Sequence, residues 1–377
     1  MIDLHRALSC LNSHQLRQVW NEGSLFSPIS TGTCSSAAAK VPQLLPVKRY
    51  KIRSHYDGVF SLDFTKDGTR LAVGYGSGDV TLHDTKTAKL TCCPSRKSEQ
   101  LPVTGLQFRS QDRSEMLYCL ASGPIFLQRI EDESNVVDVM TTDEENEINT
   151  LDVSEFGYYF CTAGKDRNIR IYDWEKFKPF SVLGPLTEGD YIGPPEDTLT
   201  QHGKRIFSVK FSDESPYHLV SGGWDNSVKV WDLRTGQVVK SMSTGSNFGP
   251  KLCGDALAIK GDLCVTGSLL PENAIELWSI KEGRRIACLP YESPKLRGEY
   301  VLVVKFCGDN HVIAGSATCH DAQIISIAQE KVVSRIDGFR RSVSSLAVSS
   351  SGKVAVAGGA PYISFVETMT TPFFLET

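Results

Sequence analysis

One pattern of short apolar segments and polar turns recurs about seven times along this chain. Its clearest copy, HGKRIFSVKFSDESPYHLVSGGWDNSVKVWD, spans residues 202–232 and contains three segments with alternating apolar residues, the last ending in Trp-Asp. Such alternation predicts β-strands. The copies lie 42 to 58 residues apart when aligned on the last apolar residue of the first strand: Phe64, Phe108, Val153, Phe211, Ile259, Phe306 and Val348. Because such short strands cannot bury a core alone, the repeat predicts an all-β array of stacked sheets.

The fourth copy carries four polar or aromatic residues at fixed places: His202 before its first strand, Ser221 in the second, Asp225 in the next turn and Trp231 in the third. With the closing Trp-Asp, these residues resemble the WD-repeat family, whose blades contain a buried hydrogen-bond chain of this composition. Such a chain satisfies polar groups inside a stack of sheets. The resemblance covers residues 55–367 and implies a seven-bladed β-propeller of the WD-repeat type.

The other copies match this four-residue pattern less completely. The third has Thr162, Asp166 and Tyr172, with Glu144 in place of the His; the first has His55, Ser77 and His83; the fifth has Thr266 and Trp278. The second, sixth and seventh match by apolar pattern and glycine turns alone. We therefore expect these blades to depend on apolar packing.

The first 46 residues precede the repeats. Residues 2–20 place Leu4, Leu8, Leu11, Val19 and Trp20 near one another on a predicted short helix, and residues 21–46 have the composition of a flexible linker. Three interpretations of the helix are open. It packs on the propeller edge or frays, it binds a partner as a tethered helix, or it is a mitochondrial presequence, which Asp3 disfavours.

Residues 47–370 are predicted to form the propeller, and residues 371–377 a C-terminal tail. Because little chain follows Phe365, we expect residues 47–53, VKRYKIR, to supply the outer strand of the last blade and close the ring.

Two stretches interrupt the repeat. Residues 131–147, which connect the second blade to the third, contain eight carboxylates and no Lys or Arg. They form either a solvated loop or an acidic rim that attracts a basic partner. Residues 183–201 are rich in Gly and Pro and account for the longest spacing, and a long loop on a rigid scaffold is either functional or inert.

Composition excludes some classes of function. The net charge of −4 and the pI near 6.1 argue against general binding to nucleic acid or anionic membranes. The eleven cysteines have no paired spacing, and no apolar run has the length of a membrane span or a secretory core. The simplest compartment is reducing, namely the cytoplasm, with the nucleus as an alternative.

Signals for catalysis are weak. The eight histidines are dispersed, and the Gly-rich segments 74–79 and 221–226 fit inter-strand turns rather than phosphate loops. Cys319 and His320 are adjacent but lack the second pair of ligands that a metal site requires. We therefore predict no enzyme activity, no metal and no cofactor.

Binding of protein or peptide partners is the better prediction. In the WD-repeat family, one face of the ring is built from the turns before the first strand and between the second and third strands. Here those turns carry Asp57, Lys165, Arg205, Trp224, Arg340 and Arg341. Trp and Arg dominate interface energies, so Trp224 is expected at the channel rim as an anchor; the alternative is that it packs against the neighbouring blade.

One motif suggests a specific alternative function. Trp231-Asp232-Leu233-Arg234 resembles the W-D-x-R signature of propellers that serve as substrate receptors of cullin-4 ubiquitin ligases. The resemblance implies that Asp232 and Arg234 dock the ligase adaptor on the opposite face. The leading prediction remains a non-enzymatic scaffold for protein partners. A catalytic propeller would instead need His, Asp or Glu converging on the channel mouth.

Overall fold

The computed structural model describes residues 48–51, 57–87, 89–92, 101–109, 115–130, 137–142, 146–185, 201–242, 249–270, 273–293, 300–350, 352–358 and 362–367. This part of the chain forms seven four-stranded antiparallel sheets and no α-helix. The prediction of an all-β, seven-bladed propeller is thus confirmed. The predicted N-terminal helix and linker, the C-terminal tail, His55 and Glu144 lie outside the described residues.

The strands of the first six blades follow chain order from the channel outwards. A single strand, β1 (Lys48–Lys51), precedes them. The first three blades comprise β2 (Val59–Phe64), β3 (Arg70–Tyr75), β4 (Val80–Asp84) and β5 (Leu90–Cys92); β6 (Val103–Phe108), β7 (Glu115–Leu120), β8 (Pro124–Arg129) and β9 (Val137–Thr142); and β10 (Ile148–Val153), β11 (Tyr159–Gly164), β12 (Ile169–Asp173) and β13 (Pro179–Leu183).

The remaining blades continue the same arrangement around the ring. They comprise β14 (Ile206–Phe211), β15 (His218–Gly223), β16 (Val228–Asp232) and β17 (Gln237–Met242); β18 (Leu257–Lys260), β19 (Leu263–Gly267), β20 (Ile275–Ser279) and β21 (Arg284–Leu289); β22 (Val301–Phe306), β23 (His311–Ser316), β24 (Ala322–Ser326) and β25 (Lys331–Ile336); and β26 (Val343–Val348), β27 (Lys353–Gly358) and β28 (Tyr362–Glu367).

The seven innermost strands form a closed ring. Each packs beside the innermost strand of the next blade, and β26 returns to pack on β2. The repeat anchors end these strands in six blades, while in the fifth Ile259 is followed by one further strand residue, Lys260. The period of the anchors therefore corresponds to the period of the blades.

The seventh blade combines both ends of the described chain. Its strand order is β26-β27-β28-β1, and β1 pairs antiparallel with β28, with Lys48 opposite Phe365 and Lys51 opposite Tyr362. Without β1 the outer edge of β28 would present unpaired backbone groups, which promote edge-to-edge association.

The hydrophobic core lies between blades. Between the third and fourth blades, for example, Cys161 and Ile169 pack with Val209 and Trp231 in one buried cluster. Full burial of a large apolar side chain contributes about 1.5–3 kcal/mol, so blade-to-blade packing holds the ring together. The structure corrects one expectation: residues 137–142, within the acidic stretch expected to be a loop, form β9, the outer strand of the second blade. Their β-branched residues favour a strand despite the surrounding charge.

Candidate functional site

The fourth blade contains a continuous buried hydrogen-bond chain. His202 Nδ1 lies 2.8 Å from Asp225 Oδ2, His202 Nε2 lies 2.7 Å from Ser221 Oγ, and Trp231 Nε1 donates to Ser221 Oγ at 2.8 Å. Burial opposes ionisation of Asp225, but the neighbouring His202 and Lys229 hold the pKa of its carboxyl below the ordinary value. The chain fixes the turn between β15 and β16, on which Trp224 lies.

The chain is incomplete in two of the partly matching blades. In the fifth, Trp278 Nε1 donates to Thr266 Oγ1 at 3.1 Å, which reproduces only the Trp-to-hydroxyl step. In the third, Asp166 forms an ion pair with Arg170 at 2.6 Å, and the buried hydroxyl of Thr162 has no hydrogen-bond partner among the described residues. These blades are held mainly by apolar packing.

The first blade uses a different chain. Thr81 Oγ1 lies 2.9 Å from the Tyr75 hydroxyl and 2.8 Å from His83 Nε2, while Ser77 donates to Asp79 at 2.7 Å. His83 is therefore bonded to a residue of its own strand.

The turns that precede the first strand and link the second to the third share one face of the ring, here called the upper face. In six of the blades, among the described residues, an N–H after the second strand donates to a carbonyl before the first. These pairs are Gly76 to Gly58 (3.1 Å), Ala121 to Pro102 (2.9 Å), Lys165 to Glu147 (3.0 Å), Trp224 to Arg205 (3.2 Å), Leu269 to Lys251 (2.9 Å) and Ala317 to Tyr300 (2.8 Å). The bonds define equivalent positions around the upper face.

Two glycines permit this close approach. A Cβ on Gly164 would lie 2.0 Å from the Glu147 carbonyl oxygen, and one on Gly223 would lie 2.3 Å from that of Arg205. Real Cβ atoms essentially never come this near, so glycine at the end of the second strand fixes the residue that precedes the first. In this way Glu147 and Arg205 are held rigidly on the upper face.

The equivalent positions differ sharply in side-chain size. In the first two blades they carry only Gly, Pro and Ala, whereas in the third to fifth they carry charged residues, Trp and Leu. The larger residues form one connected group, here called the Trp224 patch, which consists of Glu147, Lys165, Arg205, Phe207, Trp224 and Lys251. The upper face is therefore asymmetric: charged residues, Trp and Leu occupy these positions in the third to fifth blades, and the sixth carries Tyr300.

Trp224 lies at the centre of the patch and is partly exposed. Its ring stacks on Phe207 with centroids 5.2 Å apart, and the Arg205 guanidinium and the Lys251 ammonium each lie 5.6 Å from its centroid. Lys251 belongs to the approach to the fifth blade, so the Trp224 ring lies close to the neighbouring blade while part of its surface stays exposed.

The patch carries excess positive charge. Glu147 pairs with Lys165 at 2.6 Å and with Arg205 at 3.3 Å, and Lys251 lies near the Trp224 ring, so the six residues of the patch include three cations and one carboxylate. The Arg205 side chain is 5% exposed and that of Lys165 is 46% exposed. Sequence reasoning grouped Lys165, Arg205 and Trp224 but did not include Glu147 or Lys251.

The other three predicted upper-face residues lie apart from this patch. Asp57 precedes β2 in the first blade, and Arg340 and Arg341 precede β26 in the seventh. Asp57 and Arg340 are exposed and Arg341 is half-buried. The second blade separates them from the patch on one side and the sixth blade on the other. The six predicted partner-binding residues therefore form two groups.

Asp232 and Arg234 lie on the lower face: Asp232 ends β16, and Arg234 lies in the turn that follows. Arg234 donates from Nη2 to Asp232 Oδ2 at 2.6 Å and from Nε to Asp232 Oδ1 at 3.1 Å. The guanidinium also lies 5.2 Å from the ring centroid of Tyr217. These bonds hold the pKa of Asp232 well below its ordinary value. Arg234 is thus oriented by a fork-shaped ion pair while its side chain stays 61% exposed.

Charged side chains also line the central channel, which the sequence reasoning did not identify. Lys210 lies 3.3 Å from Asp152 and 3.1 Å from Asp255, and Lys305 pairs with Asp255. Asp63 accepts a bond of 2.8 Å from the Phe108 N–H. With a cavity of about 340 Å³ beside them, Asp63, Asp152, Lys210, Asp255 and Lys305 are here called the channel network.

The channel environment shifts the pKa of Asp63. Burial raises the pKa of Asp63 to about 7, although the Phe108 N–H and the two channel lysines oppose the shift. The sequence contains a signal for the network: Asp63, Asp152, Lys210 and Lys305 each immediately precede a repeat anchor. Since alternate strand residues face opposite sides, these four side chains point away from the anchors and into the channel.

Among the residues that the structure describes, no group of three or more His, Cys, Asp or Glu could hold a metal ion. Within the same residues, no helix has the length and apolarity needed to cross a membrane.

Comparisons with known proteins agree with the fold. A family model described as "WD domain, G-beta repeat" matches residues 46–84, 136–173 and 193–232. Two proteins named "Ribosome biogenesis protein WDR12 homolog" are similar: that of Culex quinquefasciatus is 35% identical over 85 residues (22% of this chain, 17% of the relative), and that of Drosophila erecta is 25% identical over 141 residues (37% and 31%).

The chain thus spans about a sixth to a third of the length of these curated relatives. The first two matched segments each contain the outer strand of the preceding blade, β1 or β9, and then three strands of the first or third blade. The third segment ends in the fourth blade and includes its complete hydrogen-bond chain. Sequence repeat, strand topology and family model therefore agree: the chain folds as a seven-bladed β-propeller and contains WD repeats.

Proposed function

We propose that this chain is a non-catalytic scaffold that holds protein or peptide partners on its upper face within a multiprotein assembly. The observation that carries the proposal is the concentration of large, charged and aromatic side chains at the Trp224 patch, while equivalent positions in the first two blades are small. Trp and Arg in partly desolvated sites dominate the energies of protein interfaces, so the patch is the strongest anchor point on this face.

The arrangement of titratable groups favours binding over catalysis. His202 is fully buried and bonded on both ring nitrogens, and four members of the channel network are engaged in ion pairs with one another. A general base needs a free lone pair within reach of substrate, and none of these groups offers one on the upper face. Relatives named for ribosome biogenesis make an assembly of that kind the first place to seek partners.

The test compares the partners captured by three full-length proteins. The wild type, Trp224→Ala and Tyr158→Ala are used as tagged baits, and captured proteins are quantified by mass spectrometry. Tyr158, 62% exposed in the turn between β10 and β11 on the lower face, is the matched aromatic control. We expect a defined set of partners to fall with Trp224→Ala and to persist with Tyr158→Ala. Identical sets for all three baits would refute the proposal.

A second candidate function rests on the lower face. The Asp232–Arg234 fork presents an oriented, exposed guanidinium, which suits docking to the adaptor of a cullin-4 ubiquitin ligase. Arg234→Ala should then abolish capture of that adaptor while leaving the partners of Trp224 bound. If the adaptor is absent from the wild-type capture, or remains with Arg234→Ala, this alternative fails.

A further inference from the structure

We propose that the Trp224 patch binds an acidic peptide segment carrying an apolar anchor residue, and that Glu147 competes with that segment for the patch cations. This inference rests on the proposed scaffold function and specifies the chemistry of the partner. Four features of the patch lead to it: its charge, the apolar surface beside it, the indole N–H of Trp224 and the partly exposed position of the Glu147 ion pairs.

Charge selects an acidic ligand. Arg205 and Lys251 each lie 5.6 Å from the Trp224 ring centroid, and Lys165 lies on the third blade, while Glu147 is the one carboxylate among the six residues of the patch. A ligand carboxylate that approaches the ring would therefore come close to cationic side chains. Complementary charge steers association and suppresses partners of the wrong sign, so a basic segment is excluded.

The apolar surface selects an anchor residue. Phe207 and Leu302, with Cys253 and Ala317, form a buried cluster that connects the fourth, fifth and sixth blades. Trp224, Leu269 and Tyr300 pack against this cluster and remain partly exposed. A phenylalanine or leucine of the ligand can cover this exposed apolar rim, whereas a uniformly acidic segment cannot.

Trp224 also has an unmet hydrogen bond. Its indole Nε1 is buried and has no acceptor among the described residues. An unpaired buried donor destabilises the structure that contains it. A carboxylate or main-chain carbonyl of a bound segment would supply the acceptor after a small rotation of the ring. Since the indole N–H is a donor only, this feature again selects a ligand rich in oxygen acceptors.

Glu147 supplies the intramolecular competitor. It ends the acidic stretch of the sequence, and its carboxylate occupies Lys165 and Arg205 at 2.6 and 3.3 Å. Its side chain is one-third exposed, so its ion pairs are partly screened by water and can be exchanged. A ligand with several carboxylates displaces this single one. Removing the charge of Glu147 should therefore strengthen binding rather than weaken it.

The experiment measures fluorescence anisotropy with labelled ten-residue peptides and the full-length protein. The probe alternates Asp, Glu and Ser around a central Phe-Leu pair. A second peptide replaces Phe-Leu by Gly-Gly, a third replaces the acids by Lys, and a single-stranded ten-nucleotide RNA tests whether another polyanion is preferred. We expect the probe to bind best, and its affinity to fall as salt rises from 50 to 300 mM.

Variants of the patch separate the proposal from simple charge attraction. Trp224→Ala should lower probe affinity by about tenfold or more, Tyr158→Ala should leave it unchanged, and Glu147→Gln should raise it by about three- to tenfold. Thermal melts of each variant verify that the fold is kept. If Glu147→Gln unfolds the protein, Lys165→Gln is used instead. This variant removes one of the patch cations, so it should lower the affinity for the probe.

Several results would overturn the inference. The inference fails if the acidic and basic peptides bind with equal affinity, or if replacing Phe-Leu by Gly-Gly does not lower the affinity. It also fails if the RNA binds more tightly than the probe, or if a folded Glu147→Gln protein binds the probe no more tightly than wild type. The scaffold proposal is judged separately. If Trp224→Ala loses cellular partners while the acidic probe does not bind, only the inference fails; if the captured partners do not change, the scaffold proposal itself fails.

Discussion

Replacing Trp231 by alanine should destabilise the propeller far more than replacing Trp224. The Trp231 side chain is 1% exposed and packs between the third and fourth blades, and its indole N–H donates to Ser221. Trp-to-Ala changes in a core cost about 3–5 kcal/mol. The Ser221 hydroxyl loses one of its partners, which adds about 1 kcal/mol.

Replacing Trp224 by alanine should cost less free energy of unfolding. Trp224 is partly exposed, its N–H has no acceptor among the described residues, and its main contacts are one stacked ring and two nearby cations. Stacking and cation–π contacts together contribute about 1–2 kcal/mol at such a site. The difference between the two variants is therefore about 3 kcal/mol.

Differential scanning calorimetry measures this difference. With an unfolding entropy of about 2 cal/mol/K per residue, 1 kcal/mol corresponds to roughly 1.5 °C for a propeller of this size. Trp231→Ala should lower Tm by about 6–9 °C and Trp224→Ala by about 2–3 °C. Trp231→Phe keeps an aromatic ring but removes the N–H donor, so its decrease in Tm should lie between those of the two alanine variants. Equal shifts for the two alanine variants would refute the assignment of Trp231 to the buried chain.

Three further outcomes are expected. Because the folded pKa of Asp63, about 7, exceeds the reference value of 3.8, the native state holds this proton more tightly and stability falls between pH 4 and 7. Asp63→Asn should remove that fall, so its urea midpoint relative to wild type should rise from pH 4 to 8; a constant difference would contradict the pKa. Gly223→Ala should cost about 1–3 kcal/mol in urea unfolding, since its Cβ would overlap the Arg205 carbonyl, and an unchanged midpoint would contradict the contact. In the native protein, maleimide should label exposed Cys288 and spare Cys264, whose thiol pKa burial raises, as checked by peptide mass spectrometry; equal labelling would contradict the burial.

The blades were predictable because each is a local unit. Alternating apolar residues and turn glycines appear within about 45 residues of sequence, and anchors such as Phe64 and Phe211 correspond to strand ends. The charge of the acidic stretch predicts a loop over residues 137–142. The structure shows that these residues, several of them β-branched, form β9 instead. Charge composition is therefore a poor guide to where an outer strand lies.

The candidate site was only partly predictable. The place of the turns in the repeat predicts Trp224, Arg205 and Lys165. Glu147 belongs to the acidic stretch of the sequence, and only the structure shows its ion pairs with Lys165 and Arg205. Lys251 was missed because it precedes its strand by six residues, so the local pattern gives no register for it. The pairing of Lys210 with Asp255 joins neighbouring blades, and it depends on how they are rotated around the ring rather than on either strand alone.

The pairing of β1 with β28 has a consequence for synthesis. Lys48 and Phe365 are opposite each other in the seventh blade but are separated by most of the chain. At about 5–20 residues per second, a ribosome takes on the order of 15–60 s to make the intervening segment. During that interval β1 has no strand to pair with, and a partly formed ring has unpaired strand edges at both ends. Protection of those edges by chaperones or by early partners should therefore matter until β28 has left the ribosome and paired with β1.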